Sequence, residues 1–231
     1  MGIFKKVNKK VLHYESGLEF FPDFIVPIKK HIPKWYKDTE PWIGGKPNLT
    51  TKGIKKCIPF LDSLTVGYCI QTPIDLVVSL DNGLPLITWR SEVMQNIVET
   101  RPNPQNIPTP AGMHSLGFMW NIWGGIKLPK GYSAVFTHPL NRIDLPFFTL
   151  SGVVDDYEMG PGSMPFYLKE GWEGVIPQGT PIVQIIPFKR ENWSSRVLPG
   201  LYAASKLRMT KARAVLSDYY KKHDWKKKSY E

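Results

Sequence analysis

The sequence predicts a mainly β protein with a Pro- and Trp-rich N-terminal arm and a C-terminal helix. Three observations carry that prediction. The 21 Pro and 19 Gly among 231 residues are too many for a helical bundle and suit short strands joined by turns. Apolar β-rich runs recur between these breakers from residue 56 to residue 188. After Gly200 both breakers vanish and apolar residues fall three to four apart, which is helical spacing.

Residues 1–52 read as the arm. Pro22, Pro27, Pro33, Pro41 and Pro47 interrupt its apolar stretches, and Trp35, Tyr36 and Trp42 stand among Lys and acids. These rings either pack on the core, because large aromatics gain most from burial, or, left exposed, form a binding surface. Residues 53–195 read as the β core. The segment 56–90 holds three β-rich runs, with Asp81-Asn82-Gly83 between two of them. Asn and Gly accept positive φ, so a hairpin is expected there. Residues 99–112 form a Pro-rich connection, and residues 115–129 an apolar strand ending in a turn, with Trp120 and Trp123 in the core or a subunit contact. Residues 196–231 read as a basic tail. Leu201, Leu207, Val215, Leu216, Tyr219 and Tyr220 predict an amphipathic helix with a basic outer face over 201–225.

The net charge of +10 is unevenly spread: +5 over residues 1–37, −2 over 38–195 and +7 over 196–231. Basic ends attract polyanions or acidic protein surfaces, and equally serve solubility. The segment KKHDWKKKSY sets rings among cations, a combination that suits single strands or a helix packed on a neighbour. No run of 18 apolar residues exists, so no membrane partner is expected. The N-terminus lacks the apolar run of a signal peptide, and Cys57 and Cys69 are the only thiols. A reducing, cytoplasmic setting is the expectation. The five His and two Cys lack zinc-ligand spacing, so no metal is expected. His138 near Asp144 reads as an acid–base or metal pair, or as a hydrogen-bonded turn. No Walker loop or nucleophile elbow occurs.

Four phrases follow one another between residues 128 and 188: Leu128-Pro129-Lys130-Gly131-Tyr132, His138-Pro139-Leu140-Asn141-Arg142, Gly152-Val153-Val154-Asp155-Asp156-Tyr157, and Gly179-Thr180-Pro181-Ile182-Val183-Gln184. Their order and spacing resemble the trimeric dUTPase family and the related dCTP deaminases. The resemblance implies a β-clip core, a distorted barrel, assembled as a homotrimer. It implies Asp155 as the carboxylate that activates water in an active member. It assigns Tyr157 to the sugar and Gln184 to phosphate, with Arg142, His138 and Asn141 at the phosphate phrase. Magnesium enters only with a bound nucleotide; no other cofactor is implied. The phrases THPLNRIDLPF and SGVVDDY also resemble uncharacterised proteins of tailed bacteriophages. That implies a host-cytoplasm or virion setting.

The departures from the dUTPase pattern fall on the chemistry. The Arg-Ser-Gly phosphate phrase is replaced by His138-Pro139-Leu140-Asn141, with Arg142 shifted, and the Asp-x-Asp spacing has contracted to Asp155-Asp156. A basic segment stands where a Gly-rich closing segment is expected. Two functions follow as expectations: a divergent, non-hydrolysing protein that binds a nucleotide or similar small anion, and a virion structural or assembly protein on a β-clip scaffold. In the second, the basic termini meet a polyanion or a protein partner.

Overall fold

The computed structural model describes residues 10–45, 52–101, 107–155, 162–214 and 219–231. Along the chain, β1 (His13–Ser16) and β2 (Ile25–Pro27) precede α1 (Lys34–Asp38) and α2 (Ile58–Thr65). Then come β3 (Tyr68–Gln71), β4 (Leu76–Asp81), β5 (Leu84–Thr88), β6 (Val98–Arg101), β7 (Met113–Ile122) and β8 (Gly124–Lys127). They are followed by β9 (Tyr132–Thr137), β10 (Phe147–Thr149), β11 (Gly152–Asp155), β12 (Gly162–Lys169), β13 (Gly174–Ile176) and β14 (Pro181–Lys189). Two helices, α3 (Leu201–Ala214) and α4 (Tyr219–His223), come after the strands. Strand outweighs helix, 38% to 19%, so the chain is mainly β.

The strands form four antiparallel sheets, ordered β1-β8, β10-β12-β7-β6, β11-β9-β14-β3-β2 and β13-β4-β5. Among the described residues no sheet closes into a barrel, although a distorted barrel was the expectation. The four- and five-stranded sheets each end in open edges, at β10 and β6 and at β11 and β2. The predicted hairpin joins β4 to β5, with Asp81 paired to Leu84. Asn82 and Gly83 sit at φ 50° and 82°, as the mirror-image two-residue turn requires.

The aromatic centre of the core sits on the pairing of β12 with β7 in the four-stranded sheet. Phe166 pairs with Phe118 and Met164 with Trp120. The Phe166 ring lies flat on Trp120 at 3.6 Å between centroids, and Phe147 meets Trp120 edge-on at 5.1 Å. Buried Trp needs a partner for its N–H, and Trp120 Nε1 donates to Thr149 Oγ1 at 3.0 Å.

Contacts divide the chain into two compact units made of non-contiguous pieces. One is Met1–Val26 with Tyr68–Arg190; the other is Pro27–Gly67 with Glu191–Glu231. The first carries twelve Lys and Arg against thirteen acids, a net −1; the second carries eighteen against seven, a net +11. The whole positive excess therefore resides in the second unit.

In the second unit, α2 follows from local chemistry that the strand pattern hides. Pro59 sits in its first turn, where a missing N–H costs nothing, and Gly67 beyond its end adopts φ 80°. Phe60 of α2 receives the rings of Trp35 and Tyr36 from α1 at 6.2 and 5.8 Å. Of the helix expected over 201–225, Leu201–Ala214 and Tyr219–His223 are helical, while Val215 and Leu216 lie outside the described residues. Side chains from Leu201 to Thr210 are all exposed, so over these described residues the expected amphipathic helix shows no buried stripe.

Candidate functional site

The motif-bearing turn lies in the first unit, between β9 and β10. β9 ends at Thr137, and the chain reverses through Pro139–Arg142, with Arg142 N donating to Pro139 O at 3.1 Å. Asn141 occupies the third position of this turn at φ 59°, which selects a type II turn and favours Asn or Gly. Four of the six residues that the resemblance singles out gather here.

Gln184 reaches the turn from β14, where it pairs with Thr137 of β9 and Cys69 of β3. Its side chain is 0% exposed, and its Oε1 accepts the Leu140 N–H at 2.7 Å. A buried amide in that position supplies the acceptor that the turn's backbone needs. His138 completes the cage. Its Nδ1 accepts the Thr149 N–H at 3.4 Å, so its Nε2 carries the proton and donates to Arg142 O at 3.1 Å. The ring lies on Phe148 at 5.1 Å and edge-on to Phe147 at 5.8 Å. Burial pulls its pKa below the ordinary value of 6.5 and keeps the imidazole neutral.

Arg142 forks onto Asp144, Nε to Oδ1 at 2.9 Å and Nη2 to Oδ2 at 2.8 Å. Its side chain is 12% exposed, so its charge is largely spent on Asp144. Asp144 is thus engaged by Arg142. The hydrogen-bonded-turn reading of His138 is the one its geometry fits.

Asp155 lies elsewhere. It pairs with Ser133 at the start of β9, whereas Gln184 pairs with Thr137 at its end. Four residues of strand separate the two sites, about 13 Å. The Asp155 side chain is 64% exposed; it accepts from the buried Ser133 hydroxyl and lies 3.8 Å from Arg190. Ser133 and Arg190 had no sequence signal, since only strand register brings them to Asp155. Asp156 and Tyr157 lie outside the described residues.

Two recesses in the first unit bear on ligand size. One, walled by Phe24, Thr72, Trp120 and Trp123, offers about 20 Å³, room for water but not a nucleotide. The other is open, about 570 Å³, and lined by Glu19, Phe20, Arg90, Glu92 and Gln95. It is nucleotide-sized, but two Glu against one Arg oppose a polyphosphate. Among the described residues no group of three His, Cys, Asp or Glu is placed to hold a metal ion. No helix among them is long and apolar enough to cross a membrane.

No protein-family model matches this chain, and no curated protein matches it.

Proposed function

We propose that this chain is an assembly or interaction protein, of the virion-component class, with a β scaffold as its rigid part. One observation carries the reading. Gln184, His138 and Arg142, three of the side chains assigned to a small anion, are engaged by groups in and around their own turn, while large apolar side chains stand open beyond the last strand. Gln184 holds the Leu140 N–H, His138 holds Arg142 O, and Arg142 holds Asp144. By contrast, Val197 is 93% exposed, and Leu198 and Leu201 are exposed beside it. Exposed apolar side chains concentrated on one segment mark a contact surface. The dUTPase-like β-clip and the homotrimer belong to the same proposal.

The test is solution mass by light scattering. The full chain is expected to self-associate, and the surface variant Val197→Ser/Leu198→Ser/Leu201→Ser to be a folded monomer. Asp155→Ala should leave the mass unchanged. A monomeric parent, or a variant of unchanged mass, removes the self-assembly reading.

A second reading, nucleotide binding without hydrolysis, is favoured by one feature: Asp155 stays open to solvent beside Arg190. Thermal shift with dUTP and dCTP decides it. A ligand at 100 times its Kd adds about 2.7 kcal/mol of stability. No shift with either nucleotide, or rapid pyrophosphate release from one, excludes this form of the idea.

A further inference from the structure

We propose that the second unit binds single-stranded nucleic acid, on a surface that joins lysines of residues 27–67 to those of the C-terminal tail. The proposal goes beyond self-assembly, since it names another partner and another set of side chains.

The fold makes one unit of two segments remote in sequence. Asp62 of α2 accepts the Trp225 indole N–H at 3.0 Å and the Lys228 ammonium at 2.6 Å. The same helix supports α1 through Phe60. The Lys55 ammonium donates to Lys37 O at 2.7 Å and so ties the 3-10 turn Ile54–Lys56 to α1. Lysines of the early segment and of the last residues are thus gathered around α2. Lys29, Lys30 and Lys37 are exposed, as are Lys226 and Lys227. With a net charge of +11, this unit complements a polyphosphate backbone.

The aromatics decide which polyanion. Trp193 is 87% and Tyr202 82% exposed, and Tyr220 is also exposed. The Lys56 ammonium sits 4.7 Å above the Trp42 ring, a cation–π pair within the basic surface. Open rings among cations suit unpaired bases, which stack; in a duplex those faces are occupied by neighbouring pairs. An acidic polypeptide matches the charge but offers no row of planar faces for the rings. A lipid surface needs a broad apolar helix face, and on α3 only Leu201, Tyr202 and Met209 share one arc, among Lys and Arg. At ~100° per residue, Leu207 lies roughly 120° or more around the axis from Leu201, Tyr202 and Met209.

The experiment uses the full chain and fluorescein-labelled oligo(dT) of about 20 nucleotides, read by anisotropy at about 150 mM salt. Binding is expected, with log K falling by about 0.7 per neutralised phosphate for each decade of salt. Lys29→Gln/Lys30→Gln/Lys37→Gln is expected to weaken binding at least tenfold and to flatten that slope by about 2. Trp193→Ala should weaken it severalfold and leave the slope unchanged, which separates stacking from charge. All four positions are exposed, so thermal melting should not move. Absence of binding, or unchanged binding by the triple Lys variant, overturns the proposal. So does preference for a duplex of equal length, polyglutamate or phosphatidylserine vesicles. Light scattering on the triple Lys variant keeps the two proposals apart: its mass should match the parent's even where oligonucleotide binding is lost.

Discussion

In the first unit the rings around Trp120 lie inside and the polar side chains around the Pro139–Arg142 turn are closed on partners; in the second, Trp193, Tyr202 and many cations stand at the surface. Trp120 is buried, stacked on Phe166 and hydrogen-bonded to Thr149. Trp193, of the same residue type, is almost fully exposed. The charge follows the same division, −1 against +11. The difference teaches where sequence is committed to folding and where it is left for partners. A neutral unit with saturated hydrogen bonds is suited to be rigid; a unit carrying open rings and unbalanced charge is suited to bind.

The largest expected effect breaks the contrast at Trp120 and Phe166. Phe166→Ala removes a ring that also lies 5.5 Å from Phe118, and it leaves a cavity between strands. The expected cost is about 3–5 kcal/mol, read from the urea midpoint. Trp193→Ala should change stability by less than about 0.5 kcal/mol. Equal costs at the two positions would remove the comparison.

Next in size is Gln184→Met. Methionine keeps the volume and leaves the Leu140 N–H without its acceptor inside the protein. The expected loss is about 1–3 kcal/mol. A stability loss with no change in any nucleotide response identifies Gln184 as the brace of the turn. A nucleotide shift present in the parent and lost in a still-stable variant identifies a ligand contact.

Much of this division was legible in the sequence, for reasons that particular residues show. The β4–β5 hairpin was readable because Asn82-Gly83 meets a local backbone demand that few other residues meet. The core position of Trp120 was readable because it stands in an apolar strand. The helix at Ile58–Thr65 was not, since its eight residues are too few to show a helical period. The site was least legible. Motif order placed Gln184, Arg142 and Asp155 in one list, but register, which no local pattern carries, puts Asp155 at the far end of β9. Nor did segment charges reveal that the lysines of Pro27–Gly67 share a unit with the basic tail; Asp62 makes that connection over more than 160 residues of chain.

A smaller effect concerns pH. Burial lowers the His138 pKa, with the nearby Arg142 and Lys169 charges acting the same way; Arg142 O and Asp144 act against it. In the unfolded chain the group titrates near 6.5. Below that value the unfolded state takes up a proton that the folded state resists. The stability His138 contributes is therefore present above pH 6.5 and lost as pH falls toward its lower folded value. His138→Gln, which keeps a donor and an acceptor, should flatten the acid limb of the stability profile. Parallel profiles for parent and variant would show that the imidazole is not held neutral.

The smallest expected effect tests the second unit from within. Asp62→Asn removes the negative charge that meets Lys228 and weakens the acceptor for Trp225. Lys228 is about half exposed, so water already screens the pair and the cost should stay below about 1 kcal/mol. Global melting is too blunt for that change. Amide exchange is the appropriate readout, because local opening is governed by the local contacts. Trp225 N–H donates to Tyr220 O at 2.9 Å, as does Asp224 N–H, so these amides report on the docked tail. They should exchange faster in the variant, while β7 and β12 amides keep their protection. Oligonucleotide affinity should fall at the same time, since Lys226–Lys228 would no longer be held beside α2. Faster exchange without a loss of affinity would show that the tail binds independently of its docking. Unchanged exchange would show that Asp62 does not hold the tail at all.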